Sequence, residues 1–90
     1  MRENIQKCIN EWDPLSLIKL GMSSDEYGGL AYELYAWYVK NSHVDNDDVA
    51  LKVYELLEEW AGESEPLKLE SFSWSQRLRN ALQSDSKNDV

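Results

Sequence analysis

Six carboxylates, Asp45, Asp47, Asp48, Glu55, Glu58 and Glu59, fall within the fifteen residues "DNDDVALKVYELLEE". Side chains of this type at this density can work as a general acid and base, ligate a divalent cation, or present a negative surface to a cationic partner. The first two kinds of chemistry need companions. Carboxylate metal sites in helical bundles draw Glu-x-x-His pairs from further helices, and proton transfer most often uses histidine. His43 is the only histidine, and it lies in the polar run "NSHVDNDD" with no cysteine or second histidine at metal-ligand spacing. It reads as a solvated loop residue. A metal-assisted hydrolase built on these acids therefore lacks its other parts. The Gly28-Gly29 pair lacks the strand, spacing and lysine of a phosphate-binding loop. Cys8 is the only cysteine, so no internal disulfide can form, and nothing beside it suggests an activated thiol. The expectation is a chain that is not an enzyme, with no catalytic residue, no metal site and no cofactor.

What remains is the third use, and the charge distribution favours it. The chain carries 17 acidic and 9 basic side chains, a net charge of −8. Residues 25–70 hold twelve of the acids against three lysines, a local charge of −9, while residues 1–24 balance at zero and residues 71–90 come to +1. Such a field repels phosphate backbones and anionic lipid, which argues against nucleic acid and membrane partners. It attracts basic proteins. Charge steers the encounter, while tyrosine and tryptophan supply contact area at low entropic cost. The expected protein-binding set is Asp45, Asp47, Asp48, Glu55, Glu58 and Glu59, with Tyr32 and Tyr35 as aromatic anchors.

The elements that must position these residues are helices. A hydrophobic content of 42% with 11% aromatics is globular, and 90 residues suffice for one core. Ile5, Cys8, Ile9 and Trp12 share one helical face, and Asp13-Pro14 ends that helix because proline removes an amide and disfavours helical geometry before it. Pro14 and Asp13 then open a short helical turn, "DPLSLIKLG", closed by Gly21. A second helix is expected over 24–41. Its apolar arc, from Trp37 and Leu30 round to Val39 and Tyr32, is about 220° wide, more than one neighbour covers. Gly28 and Gly29 within it imply either close approach of another backbone, the favoured reading, or local looseness. A third helix, capped by Asp45 or Asn46, ends at Gly62 and buries Val49, Val53, Leu56, Leu57 and Trp60. "ESEPLKLES" reads as a loop broken by Pro66. A fourth helix over 73–84 uses Trp74, Leu78, Ala81 and Leu82, with Phe72 stapling its start. The expected fold is all-α: a single small bundle of about four main helices over 1–84, plus the helical turn, followed by a frayed tail over 85–90. The N-terminal stretch has no apolar run of signal-peptide length, and no segment approaches the ~20 apolar residues of a membrane span, so the expected location is cytoplasmic.

The run "INEWDPLSLI" followed by "DEY" resembles the N-terminal signature of a family of small, uncharacterised bacterial proteins, all-helical. In that family an Ile-Asn-x-Trp-Asp-Pro motif follows the first helix and Asp-Glu-Tyr opens the second. The matching positions are Ile9, Asn10, Trp12, Asp13, Pro14, Leu15, Asp25, Glu26 and Tyr27, within residues 8–27. The acidic third helix and the basic final helix depart from that pattern. Proteins of this size also resemble the immunity partners of bacterial toxins. The resemblance implies a helical fold and is silent about chemistry. "WDPL" itself reads either as a helix stop with Trp12 and Leu15 packed inward, or as an exposed tryptophan and carboxylate at an interface. The functional expectation is a stoichiometric inhibitor of immunity type whose acidic face covers a basic toxin or other basic protein. The alternative is a housekeeping adaptor or self-associating protein, forming a homo-oligomer through the aromatic arc of the second helix.

Overall fold

The computed structural model describes residues 3–41 and 43–88. Four helices follow one another: α1 (Glu3–Trp12), α2 (Gly28–Lys40), α3 (Asn46–Ala61) and α4 (Glu65–Asn88). Among the described residues there is no strand. α4 is the organising element. It packs along both α1 and α3, which have no close backbone approach to each other, and α2 closes the bundle against all three. The radius of gyration, 12.1 Å, is that of a tightly folded chain of this length.

The core follows from helical periodicity. Ile5, Ile9 and Trp12 of α1 meet Leu30, Ala31, Leu34 and Tyr38 of α2, and these join Val49, Val53, Leu56 and Leu57 of α3 with Leu67, Leu78 and Leu82 of α4. Each fully buried Leu or Ile contributes roughly 1.5–3 kcal/mol relative to exposure. Trp60 departs from expectation. It lies in the last turn of α3, beyond the reach of its neighbours' cover, and is exposed.

α3 is bounded as the sequence implies. The Asp45 carboxylate accepts from the Asp48 amide at 2.9 Å, and the Asp48 carboxylate accepts from the Asp45 amide at 3.2 Å. This reciprocal pair satisfies two donors that helical bonding leaves over. Gly62, at φ 79, ends the helix in a conformation that favours glycine.

Four expectations about the other elements are corrected. First, α4 begins at Glu65, not 73. Ser64 Oγ accepts from the Leu67 amide at 3.3 Å, and Pro66 sits in the first turn, where its missing amide costs nothing. Phe72 is thus mid-helix and exposed, not a staple. Second, α4 continues through Asn88, so residues 85–88 are not a frayed tail; residues 89–90 lie outside the described residues. Asp85, 1% exposed, reaches back to α1 and accepts from the amides of Asn4 (3.0 Å) and Ile5 (2.9 Å). A carboxylate from the end of the chain thereby caps its first helix.

Third, α2 starts at Gly28. Residues 24–27 are turns, because Ser23 Oγ takes the Asp25 amide at 3.2 Å and the Tyr27 side chain is held elsewhere. Fourth, Gly28 and Gly29 do not mark a close approach. A Cβ at Gly28 would meet only Gln6 Oε1 at 3.7 Å, and one at Gly29 would meet nothing within 4 Å. The second helix's arc is wide because it is only partly covered: Tyr35 and Trp37 are half-buried, and Tyr32 and Val39 are exposed.

Candidate functional site: the acidic outer face of α3

Two arrangements are candidates for function. One is the Trp12-Asp13-Pro14 corner, the other the outer face of α3.

At the corner, Asp13 (φ 50) and Ser16 (φ 57) both adopt left-handed backbone, unusual without glycine. What holds them is the Asp13 carboxylate. Oδ1 accepts from the Tyr27 hydroxyl at 2.6 Å and the Ile18 amide at 3.1 Å, and Oδ2 accepts from the Lys19 amide at 3.0 Å. The Tyr27 hydroxyl in turn accepts from the Leu15 amide at 3.0 Å. The expected helical turn is present as a single turn: the Leu20 amide bonds the Ser16 carbonyl at 3.0 Å. Its end is closed by Met22 to Leu17 (3.0 Å) and Gly21 to Ile18 (2.9 Å), the pairing that goes with a left-handed glycine, here Gly21 at φ 93. Asp13 thus caps this turn from upstream of Ser16.

The electrostatics agree with a locked role. Burial pushes the Asp13 carboxyl up, but the bonds from Tyr27, Lys19 and Ile18 outweigh it and hold the group below its ordinary range. Burial, and then the bond to Asp13, push the Tyr27 hydroxyl up to about 12. A carboxylate whose oxygens are committed to three donors has little capacity left for a substrate. Trp12 is likewise buried; its Nε1 donates to Glu70 Oε1 at 2.9 Å, and its ring stacks on Trp74 with centroids 5.9 Å apart. Of the two readings of "WDPL", geometry supports the helix stop with inward packing. Ile9, Trp12, Asp13 and Tyr27, four of the nine positions that carry the family resemblance, are fold-forming here.

Cys8 is half-buried between α1 and α4. Burial, and then the Glu11 carboxylate, push its thiol up to about 11, so it is a poor nucleophile at neutral pH.

The outer face of α3 is different. Val49, Ala50, Val53, Leu56 and Leu57 occupy an arc of about 120° facing the core. Turning the helix by its 100° steps sets Asp47, Asp48, Leu51, Glu55, Glu58 and Glu59 on the opposite side, around Leu51, which is 50% exposed. One cation stands at the edge: Lys52 Nζ lies 3.2 Å from Glu55 Oε1. Asp45 and Asp48 are exposed but spend a carboxylate oxygen each on the cap. Glu58, half-buried, lines a cleft of about 410 Å³ with Tyr54, Glu63, Ser64, Glu65 and Lys68.

The two tyrosines of the expected set lie on α2. Tyr32, 55% exposed, lines a groove between α2 and α3 with Glu33, Trp37, Lys40 and Lys52. Tyr35 packs partly against the core. His43 is exposed in the α2 to α3 loop. Among the described residues no three His, Cys, Asp or Glu side chains are grouped to hold a metal ion, and no helix is long and apolar enough to cross a membrane.

Sequence reasoning missed the Asp13 to Tyr27 bond, the Trp12 to Trp74 stack and the Asp85 cap. Only the first left a trace, since Asp13 and Tyr27 both belong to the motif quoted above. Comparison with protein-family models, curated proteins and solved structures finds no match to this chain.

Proposed function

We propose that this protein is a non-catalytic binding module, a stoichiometric inhibitor of immunity type whose α3 face covers a cationic protein domain. The observation that carries this reading is an arrangement that disfavours the helix's own stability. α3 places Glu58 and Glu59 in its last turns with no basic residue there, at the end where the helix dipole is negative. Glu55 and Glu59, one turn apart, add like-charge repulsion. Lys52 at Glu55 offsets part of this, and Lys68 lines the cleft beside Glu58. Local rules broken without structural gain point to use, and outward carboxylates around a half-exposed leucine are suited to a basic surface with an apolar centre. Tyr54 and the cleft beside Glu58 extend that face towards α4.

The test is affinity capture from the native host with the full chain, followed by identification and stoichiometry of what is held. The expected result is a one-to-one complex with a basic protein, weakened steeply by salt and by Glu55→Gln with Glu59→Gln. Retention of no basic protein removes the proposal.

A further inference from the structure

We infer that this chain also pairs with a second copy of itself through the corner formed by α1 and residues 18–24. The turn held by Asp13 presents Lys19, Leu20 and Met22 to solvent, with Leu20 76% and Met22 46% exposed. Leu20 is the most exposed large apolar side chain of the described core-forming types. It is not on a loose loop. The Asp13 carboxylate fixes the Ile18 and Lys19 amides, and the Gly21 and Met22 amides close back on Ile18 and Leu17. A knob ordered in advance loses little conformational entropy on docking.

Beside it runs a groove of about 540 Å³ between α1 and the same segment, lined by Glu3, Gln6, Asn10, Glu11, Ile18 and Ser24, with Lys7 at its side. Ile18 and Ser24 flank the knob and also line the groove, so the two adjoin. A two-fold axis between them seats each copy's knob in the other's groove, which is how a self-complementary patch forms a closed dimer. Charge selects the occupant. The groove carries two carboxylates against one lysine, and the knob carries Lys19, so knob and groove are complementary; among the described residues neither Lys19 nor the two glutamates has an ion-pair partner. Two copies each at −8 repel elsewhere, above all across residues 25–70, whereas residues 1–24 are neutral. This corner is therefore the place where like copies can meet. The residues of this corner include none of the α3 carboxylates, so the two surfaces use different side chains.

The test is sedimentation equilibrium of the full chain from about 10 µM to about 1 mM, a window suited to weak association. A monomer-dimer equilibrium is expected. Leu20→Asp should weaken it about tenfold or more with the thermal midpoint unchanged, because the side chain is exposed. Lys19→Glu should also weaken it, and exchanging Glu3 and Glu11 for lysine in that variant should restore it. A strict monomer across the range, a dimer indifferent to Leu20→Asp, or no recovery on the charge exchange overturns the inference.

Discussion

At the scale of single residues, the molecule is tied by polar side chains acting far from their own positions. Tyr27 is the clearest case: fully buried, it donates to Asp13 and accepts from the Leu15 amide. Tyr27→Phe leaves volume nearly unchanged but strips a donor from a carboxylate and an acceptor from a part-buried amide, losses that are costly when a partner stays behind. The expected outcome is a thermal midpoint lower by on the order of 10 °C, read by circular dichroism. The pH dependence follows from the same bond. The folded Asp13 carboxyl lies below its ordinary range, so its contribution is full above the unfolded value and is lost as pH falls through the folded one. Tyr27 is raised to about 12, so its contribution is full below the unfolded value of about 10 and is lost as pH climbs towards 12. The stability gap between the native chain and Tyr27→Phe should therefore narrow at both extremes. Denaturant titrations across pH would show it, and a gap constant from strong acid to strong alkali would contradict the assignment.

At the scale of elements, the helix limits separate what local signals reveal from what tertiary contacts decide. α3 was legible at both ends because Asp45, Asp48 and Gly62 act within a turn of where they stand. α4 was not. Pro66 reads as a loop breaker unless it is placed in a first turn, and Ser64 ahead of it was the cue for that placement. The last turn of α4 was illegible for a different reason: Asp85 is held by amides at the other end of the chain, and no local pattern announces a partner 80 positions away. Two predictions belong here. Asp85→Ala should destabilise the protein by about 1.5–3 kcal/mol in urea unfolding, since it removes a charged acceptor from two amides of α1, one of them buried. Gly29→Ala should act in the opposite direction, adding roughly 0.5 kcal/mol, because a Cβ there meets open space in the first turn of α2. A loss on Gly29→Ala would revive the close approach that the sequence suggested.

At the scale of the whole molecule, the fold sorts charge by element. Residues 1–24 are neutral in sum, while the acids gather on α3 and the start of α4. The uneven field was legible from counting charges, but its relation to the aromatics was not, because a helical wheel places Tyr32 on an edge without showing that Lys40 and Lys52 line that edge too. Stability and binding should respond oppositely to this field. Glu58→Gln with Glu59→Gln removes negative charge from the negative end of α3 and relieves Glu55, so the folded protein should gain about 0.5 kcal/mol or slightly more. The same change should slow association with a cationic partner by about tenfold at low ionic strength, with the difference fading towards 1 M salt, where screening reaches only ~3 Å. Stopped-flow association with the captured partner, set beside thermal melts of the free protein, measures both. A variant that is more stable and slower to bind means that these carboxylates are retained for encounter at the expense of the helix. A variant that loses stability while binding at the native rate would mean that they serve the fold alone.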